Sequence, residues 1–284
     1  MSASIPVVLT FAGSDPTGGA GLQADILTLA GLGCHPLSVV TAVTVQDTVG
    51  VSDFLPLDPA WIADQARSVL EDMPVAAFKL GMLGSVEAVA AIAEIVSDYP
   101  DIPLVLDPVL SSGRGDEFAN EELIGAIRDL LLPQTTLVTP NSVEARRLTQ
   151  DEDEDEEEGE QDDAPDLDEC GERLLDLGCE YVLITGAHEQ TALVTNRLYG
   201  PGRQREDISW ERLPGSYHGS GCTLASAIAA LLSQGMAIDE AVKAAQEFTY
   251  EALRAGYRPG MGQHLPDRLF WARTAATEDE DAAA

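Results

Sequence analysis

The chain has 284 residues, enough for one large α/β domain with a substantial core, and its 16 Lys and Arg against 49 Asp and Glu give a formal net charge of −33. Nucleic acid and anionic membrane are excluded as partners, since both require a positive face. Only two of the cations are lysines, Lys79 and Lys243. Such a surface fits a protein adapted to high salt, where the Debye length contracts to about 3 Å at 1 M, although an ordinary acidic protein with one acidic loop is the alternative.

Apolar runs rich in β-branched residues alternate with segments of helical period. PVVLTFAG (6–13) reads as a strand and GLQADILTLAGLG (21–33) as a helix, and LSVVTAVTV (37–45) with PAWIADQARSVLEDM (59–73) repeats the pair. VAAFKLG (75–81) and VEAVAAIAEIVSDY (86–99) follow, then IPLVLDP (102–108) and NEELIGAIRDLLL (120–132), then TTLVTP (135–140) and SVEARRLT (142–149). The run from Asp151 to Glu169 holds 14 acids, fewer than half of the net charge, so the acidity is spread over the whole surface. Its setting between two helical patterns predicts an acidic surface insertion at about 150–168, with a binding tail for a basic partner as the other reading. DECGERLLDLG (168–178) and YVLITG (181–186) close the alternating series, and ALVTNRLYG (192–200) with ISWERLPG (208–215) predicts an antiparallel edge. Two helices are expected at about Gly221–Gln234 and Ile238–Ala255, within a single domain over 1–272, and 273–284 is expected to be a disordered tail. This order predicts an α/β fold with a mostly parallel sheet covered on both faces.

The four cysteines, Cys34, Cys170, Cys179 and Cys222, form no C-x-x-C pair, and no secretory signal or bilayer-length apolar stretch is present. Neither a disulfide nor a zinc site is expected, and the expected location is cytoplasmic.

Ligands of open α/β sheets bind at the carboxyl ends of the strands, which makes the residues just after each strand the candidates for chemistry. AGSDPTGGAGLQAD (12–25) has neither a Walker A lysine nor a clean G-x-G-x-x-G, so its glycines either let backbone approach a small ligand or simply turn the chain. Asp107 ends a strand before Pro108 and is placed to hold Mg²⁺. Glu144 lies three residues after Asn141 and fits either a capping box or a second metal carboxylate. In HGSGC (218–222), the backbone N–H groups of Gly219, Ser220, Gly221 and Cys222 open a helix and make an anion-binding nest suited to a phosphoryl group. The same helix dipole should lower the thiol pKa of Cys222 and let it act as a base; a small residue in the first turn is the alternative.

Taken in order, AGSDPTGGAGLQAD, VQDT, GMLG, DPV, PNSVEA and HGSGCTLASAIAA resemble the hydroxymethylpyrimidine and phosphomethylpyrimidine kinases of thiamine biosynthesis, within the ribokinase-like superfamily. The resemblance runs from about Ile5 to about Ala255. It implies a three-layer α/β/α fold, ATP and Mg²⁺ as cofactors, a homodimer, and phosphorylation of the pyrimidine alcohol and then of its monophosphate. It also implies that Cys222 is the catalytic base, that Gln46 pairs with the aminopyrimidine, and that Ala20, Met82 and Val109 line its pocket with Gly13 and Asp25 close by. Asp107 and Glu144 match the magnesium acids, and Asn141, Thr185 and Gly186 fall at the ATP phosphates. Two positions depart from the family pattern: Thr185 replaces a lysine near the phosphates, which leaves backbone, Mg²⁺ or Arg114 to take its part, and Asp47 replaces an asparagine beside Gln46. A pyridoxal kinase of the same superfamily and a non-catalytic pyrimidine sensor are the rival readings. No further thiamine-phosphate synthase domain is expected after HLPDRLFWAR (264–273).

Overall fold

A computed structural model describes residues 5–111, 115, 118–150 and 165–273 of the chain. Most of the expected acidic insertion (150–168), Arg114, and all but the first residue of the expected tail (273–284) lie outside them.

Nine strands among the described residues form one sheet: β1 (Val7–Ser14), β2 (His35–Gln46), β3 (Val51–Pro56), β4 (Val75–Leu80), β5 (Leu104–Leu106), β6 (Leu137–Val138), β7 (Tyr181–Ile184), β8 (Leu193–Gly200) and β9 (Gln204–Glu211). Their spatial order is β3-β2-β1-β4-β5-β6-β7-β8-β9. The six strands β2, β1, β4, β5, β6 and β7 run parallel to their neighbours, and β3, β8 and β9 extend the sheet antiparallel at its two edges. The predicted parallel core and the β8–β9 hairpin are therefore present. Strand β3 had no counterpart in the sequence reading. It is short, polar at Ser52 and Asp53, and largely exposed, so no buried face imprints a pattern on it.

Eight α-helices among the described residues cover the sheet: α1 (Gly21–Gly31), α2 (Pro59–Leu70), α3 (Val86–Ser97), α4 (Glu121–Ala126), α5 (Ser142–Thr149), α6 (Leu167–Asp176), α7 (Ser220–Ser233) and α8 (Ile238–Arg254). Local chemistry starts several of them: Asp58 accepts from Ala60 N–H, Ser85 from Ala88 N–H, and Asn120 from Leu123 N–H, each satisfying a donor that the helix leaves open. The last acids of the acidic run are not loop. Asp168 and Glu169 form the first turn of α6, where Asp168 accepts from the Tyr199 hydroxyl at 2.6 Å.

Strand parity divides the core into two layers. Leu9, Phe11, Phe78, Leu80, Leu104, Leu106, Val138, Val182 and Ile184 face one cluster, which buries α3 and parts of α2, α4, α5 and α6. Val8, Ala77, Val105, Leu137 and Leu183 face the other, against α7, α8 and one side of α1. Alternation along each strand thus makes the three layers, and it places Lys79, two residues beyond Ala77, on the α1 and α7 side.

Candidate active site

β1 lies between β2 and β4, so the chain leaves it in one direction first and returns on its other side later. This is the topological switch point at which open α/β sheets hold ligands. A cavity of about 480 Å³ opens there, over the carboxyl ends of β1, β4 and β5. Gly13 lines it from the end of β1, Ala20 from the loop that follows, Gln46 from the end of β2, Met82 from just beyond β4, and Asp107 and Val109 from just beyond β5. Asn141, Glu144 and Thr185 form another wall, and Gly219, Ser220, Gly221 and Cys222 close it from α7. The two sequence candidates outside this lining are Asp25 and Gly186. Asp25 is buried beneath the floor, and Gly186 is packed so closely on β8 that a Cβ would stand 2.1 Å from the Thr195 carbonyl oxygen.

The turn that opens α7 is set by Gly219. Its φ of +82° is left-handed, and a Cβ there would lie 1.8 Å from the Gly19 carbonyl oxygen, so only glycine lets the two loops touch. Gly219 caps α7 without a side-chain hydrogen bond, which leaves the first-turn N–H groups directed at the cavity with the positive end of the helix dipole.

Three residues that sequence reasoning did not single out hold this arrangement. Asp15, almost fully buried, accepts from Thr17 N–H at 2.8 Å, from Ala20 N–H at 2.7 Å and from Thr17 Oγ1 at 2.9 Å, and pairs with His218 Nε2 at 3.0 Å. Burial opposes its charge, but the hydrogen bonds from His218, Thr17 and Ala20 prevail and hold its pKa below the ordinary carboxylate range. Arg268, 3% exposed, donates to the carbonyls of Gly18, Gly19 and Gly219 and to Thr223 Oγ1, and so ties the glycine loop to the catalytic turn. Both Asp15 and His218 lay within the quoted motifs; Arg268 lies 46 residues beyond Cys222 and carried no local signal.

Electrostatics correct the expected thiolate. Burial pushes the Cys222 thiol up to about 12; Lys79 and the Gly21 N–H pull the other way, and Asp107 and Asp25 add to the rise. The helix dipole does not overcome two nearby carboxylates and a desolvated sulfur, so in the ligand-free site the thiol is protonated at neutral pH. Asp107 is raised to about 6 by burial, against the pull of Lys79. Glu144 is raised to about 8 by burial and by the charge of Asp107.

Glu144 is also part of a complete capping box. Asn141 Oδ1 accepts from Val143 and Glu144 N–H at 2.9 and 3.0 Å, and Glu144 Oε2 accepts from Asn141 N–H at 3.0 Å. Its other oxygen accepts from Leu110 N–H at 3.3 Å. Asp107 Oδ2, by contrast, is buried with no hydrogen-bond partner among the described residues. No group of three or more His, Cys, Asp or Glu among the described residues could hold a metal by itself. An orphan carboxylate oxygen beside a second acid fits Mg²⁺, which takes one or two protein carboxylates and fills its shell with water and substrate phosphates.

At the hairpin end, Gln46 Nε2 donates to Thr44 Oγ1 at 2.8 Å and thereby keeps its carboxamide on the cavity wall. Asp47 does not reach the cavity. Its Oδ1 accepts from Val49 and Gly50 N–H at 2.7 and 3.1 Å, closing the β2–β3 turn. A second cavity of about 390 Å³ shares Thr185, Ala187, His188, Tyr217, Ser220 and Gly221 with the first, so the two are continuous across the helix mouth. Trp210 and Tyr250, stacked at 5.0 Å, and the buried Gln246 form its far wall.

An anion-binding helix mouth between a small-ligand cavity and a second, connected cavity, on a ribokinase-like α/β scaffold, defines a small-molecule kinase. Residues 15–267 match the family model of phosphomethylpyrimidine kinase. The hydroxymethylpyrimidine/phosphomethylpyrimidine kinase of Streptomyces coelicolor is 40% identical, over 90% of this chain and 92% of its own. That of Mycobacterium bovis is 39% identical, over 93% and 94%. The thiamine biosynthesis bifunctional protein of Geobacter sulfurreducens is 38% identical over 90% of this chain but only 50% of its own length. Among solved structures, the pyridoxal kinase of Staphylococcus aureus in complex with ADP superposes with a TM-score of 0.83 at 30% identity, covering 95% of this chain and 96% of that one. The phosphomethylpyrimidine kinase of Clostridium difficile 630 gives 0.72 at 33% identity, covering 88% and 100%. The chain belongs to the hydroxymethylpyrimidine/phosphomethylpyrimidine kinase family.

Proposed function

We propose that the chain transfers the γ-phosphoryl group of ATP to the hydroxymethyl oxygen of 4-amino-5-hydroxymethyl-2-methylpyrimidine, and then to the monophosphate so formed, in thiamine biosynthesis. The observation that carries this reading is the meeting of Gln46, Met82 and Val109 with Asp107 and the Gly219–Cys222 turn around one cavity. The pyrimidine ring lies against Met82 and Val109 with its amino edge toward Gln46. The nucleoside occupies the second cavity, and its phosphates cross Thr185 and the helix mouth, near Asn141. As the hydroxymethyl oxygen bonds to the γ-phosphorus, the bond to the β-γ bridging oxygen breaks and ADP leaves. The hydroxyl proton passes to Cys222 as thiolate, the thiol, half-buried in the cavity lining, having first lost its own proton to solvent, while Asp107 stays ionised. The first-turn N–H groups of α7 hold the transferring group in line. Asp107 and Glu144 are the residues that would hold Mg²⁺, which supplies charge neutralisation at the phosphates.

An ATP-dependent assay at high salt, with the pyrimidine alcohol, its monophosphate and pyridoxal side by side, tests the reading. Consumption of the first two, with higher kcat/KM than pyridoxal, supports it; turnover of pyridoxal alone, or none, rejects it. Cys222→Ala should lower kcat strongly and leave nucleotide binding nearly intact. The proposal extends to a salt-adapted, cytoplasmic homodimer. It is supported by the charge of −33, by four free cysteines, and by exposed Val43, Val45 and Leu55 on the edge hairpin. No helix of the described residues is long and apolar enough to cross a membrane.

A further inference from the structure

Lys79 is one of two lysines in a chain with 49 acids, and it is completely buried. Its Nζ lies 3.0 and 3.1 Å from the two oxygens of Asp25 on α1, and Ser226 on α7 donates to Asp25 Oδ1 at 2.7 Å. Taking two charges out of water costs as much as their attraction returns, and a well-packed apolar pair in the same volume is often at least as stable. Stability therefore gives no reason for the pair. Its location does: Lys79 is the only lysine or arginine among the described residues lining the first cavity. Gly81 leaves room for its tip, since a Cβ on Gly81 would stand 2.7 Å from the Lys79 Nζ. Asp107, whose carboxylate acts on the ammonium, and Cys222 line the same cavity.

We infer that Lys79 is a positioning residue for phosphoryl transfer: Asp25 and Ser226 hold its ammonium as a fixed cation under the cavity floor, where it keeps Cys222 and Asp107 placed toward the transferring group. The inference rests on the kinase reading above. In phosphoryl transfer nearly all of the catalysis is placement and charge, and a cation fixed before the substrate arrives needs no reorganisation during the reaction. Being buried, Lys79 acts through its neighbours.

The test removes both charges at once, with Lys79→Met and Asp25→Asn in the full chain, and measures melting temperature, kcat, and KM for ATP and the pyrimidine alcohol. The expected result is a melting temperature within a few degrees of the parent, both KM values within about threefold, and kcat lower by about tenfold or more. Gly81→Ala is the second variant, because it keeps both charges and displaces the ammonium, and it should show the same split between kcat and KM. If the double variant fails to fold, Gly81→Ala alone decides. A kcat within about twofold of the parent in a folded variant overturns the inference, as does a parallel loss of melting temperature and of both KM values, which marks a purely structural role. A parent inactive on the pyrimidine overturns the kinase reading itself, and this inference with it.

Discussion

Replacing Arg268 by methionine keeps most of the side-chain volume and removes every hydrogen bond that Arg268 donates to the two catalytic loops. Four acceptors are affected: the Gly18 and Gly219 carbonyls at 3.4 Å, the Gly19 carbonyl, and Thr223 Oγ1 at 3.0 Å. The two long contacts contribute little. The two short ones are hydrogen bonds from a charged donor, each worth about 1.5–3 kcal/mol, so the loss is about 3–6 kcal/mol. At roughly 2–3 °C per kcal/mol for a chain of this size, the melting temperature should fall by about 10 °C. Function should suffer as well, because Gly219 is positioned against Gly19 and the first turn of α7 starts from it. Calorimetry at fixed salt, paired with kcat/KM for the pyrimidine alcohol, checks both effects, and Arg268→Lys should recover only part of each, since a single ammonium cannot span the same acceptors. A methionine variant that melts within about 2 °C of the parent and retains its kcat/KM refutes the assignment of Arg268 as the tie between the loops.

Gly219→Ala places a methyl group against the Gly19 carbonyl at a left-handed φ, and should abolish turnover even where circular dichroism shows folded protein; normal kinetics would show that the turn is dispensable. Asp107 and Glu144 bind protons more tightly in the folded chain than in the unfolded one, so ligand-free stability should fall as pH rises from about 4 through about 6 and on toward about 8. Asp107→Asn removes one of these groups and relieves the other, so its thermal melting should depend less on pH between 5 and 8, roughly, while activity drops; an unchanged slope counts against the electrostatic reading. With Cys222 raised to about 12, iodoacetamide should label this residue at pH 7, followed by peptide mass spectrometry, more slowly than a free thiol in solution, and rapid labelling would show that a thiolate is present.

Much of the site was readable before any coordinates because its residues follow strands directly. Asp107 after β5, and Asn141 and Glu144 at the start of α5, sit where apolar runs stop, and the parallel arrangement sends those ends to one side, while the glycine turn was marked by the apolar run of α7 that it opens. Asp25 misled for the same reason. One helical turn into α1 it was expected near the ligand, and the structure turns it inward to Lys79. The expected low pKa of Cys222 followed from the helix dipole alone, and failed because the sequence cannot show that the sulfur is buried, nor which carboxylates another strand and helix bring to it. Asp47, which stood beside Gln46 in sequence, points away from it in space because the turn between β2 and β3 needs its carboxylate as an acceptor.

By itself the sequence determined the alternation of strands and helices, the acidic surface, the ordered motifs, and with them the family, because each depends on residues near one another along the chain. Tertiary structure alone decided the rest. It paired Lys79 with Asp25 across 54 residues, Asp15 with His218 across 203, and Arg268 with Gly19 across 249. It also decided protonation, since a pKa is set by burial and by neighbours in space, and these become known only when β4, β5, α1 and α7 close around one cavity.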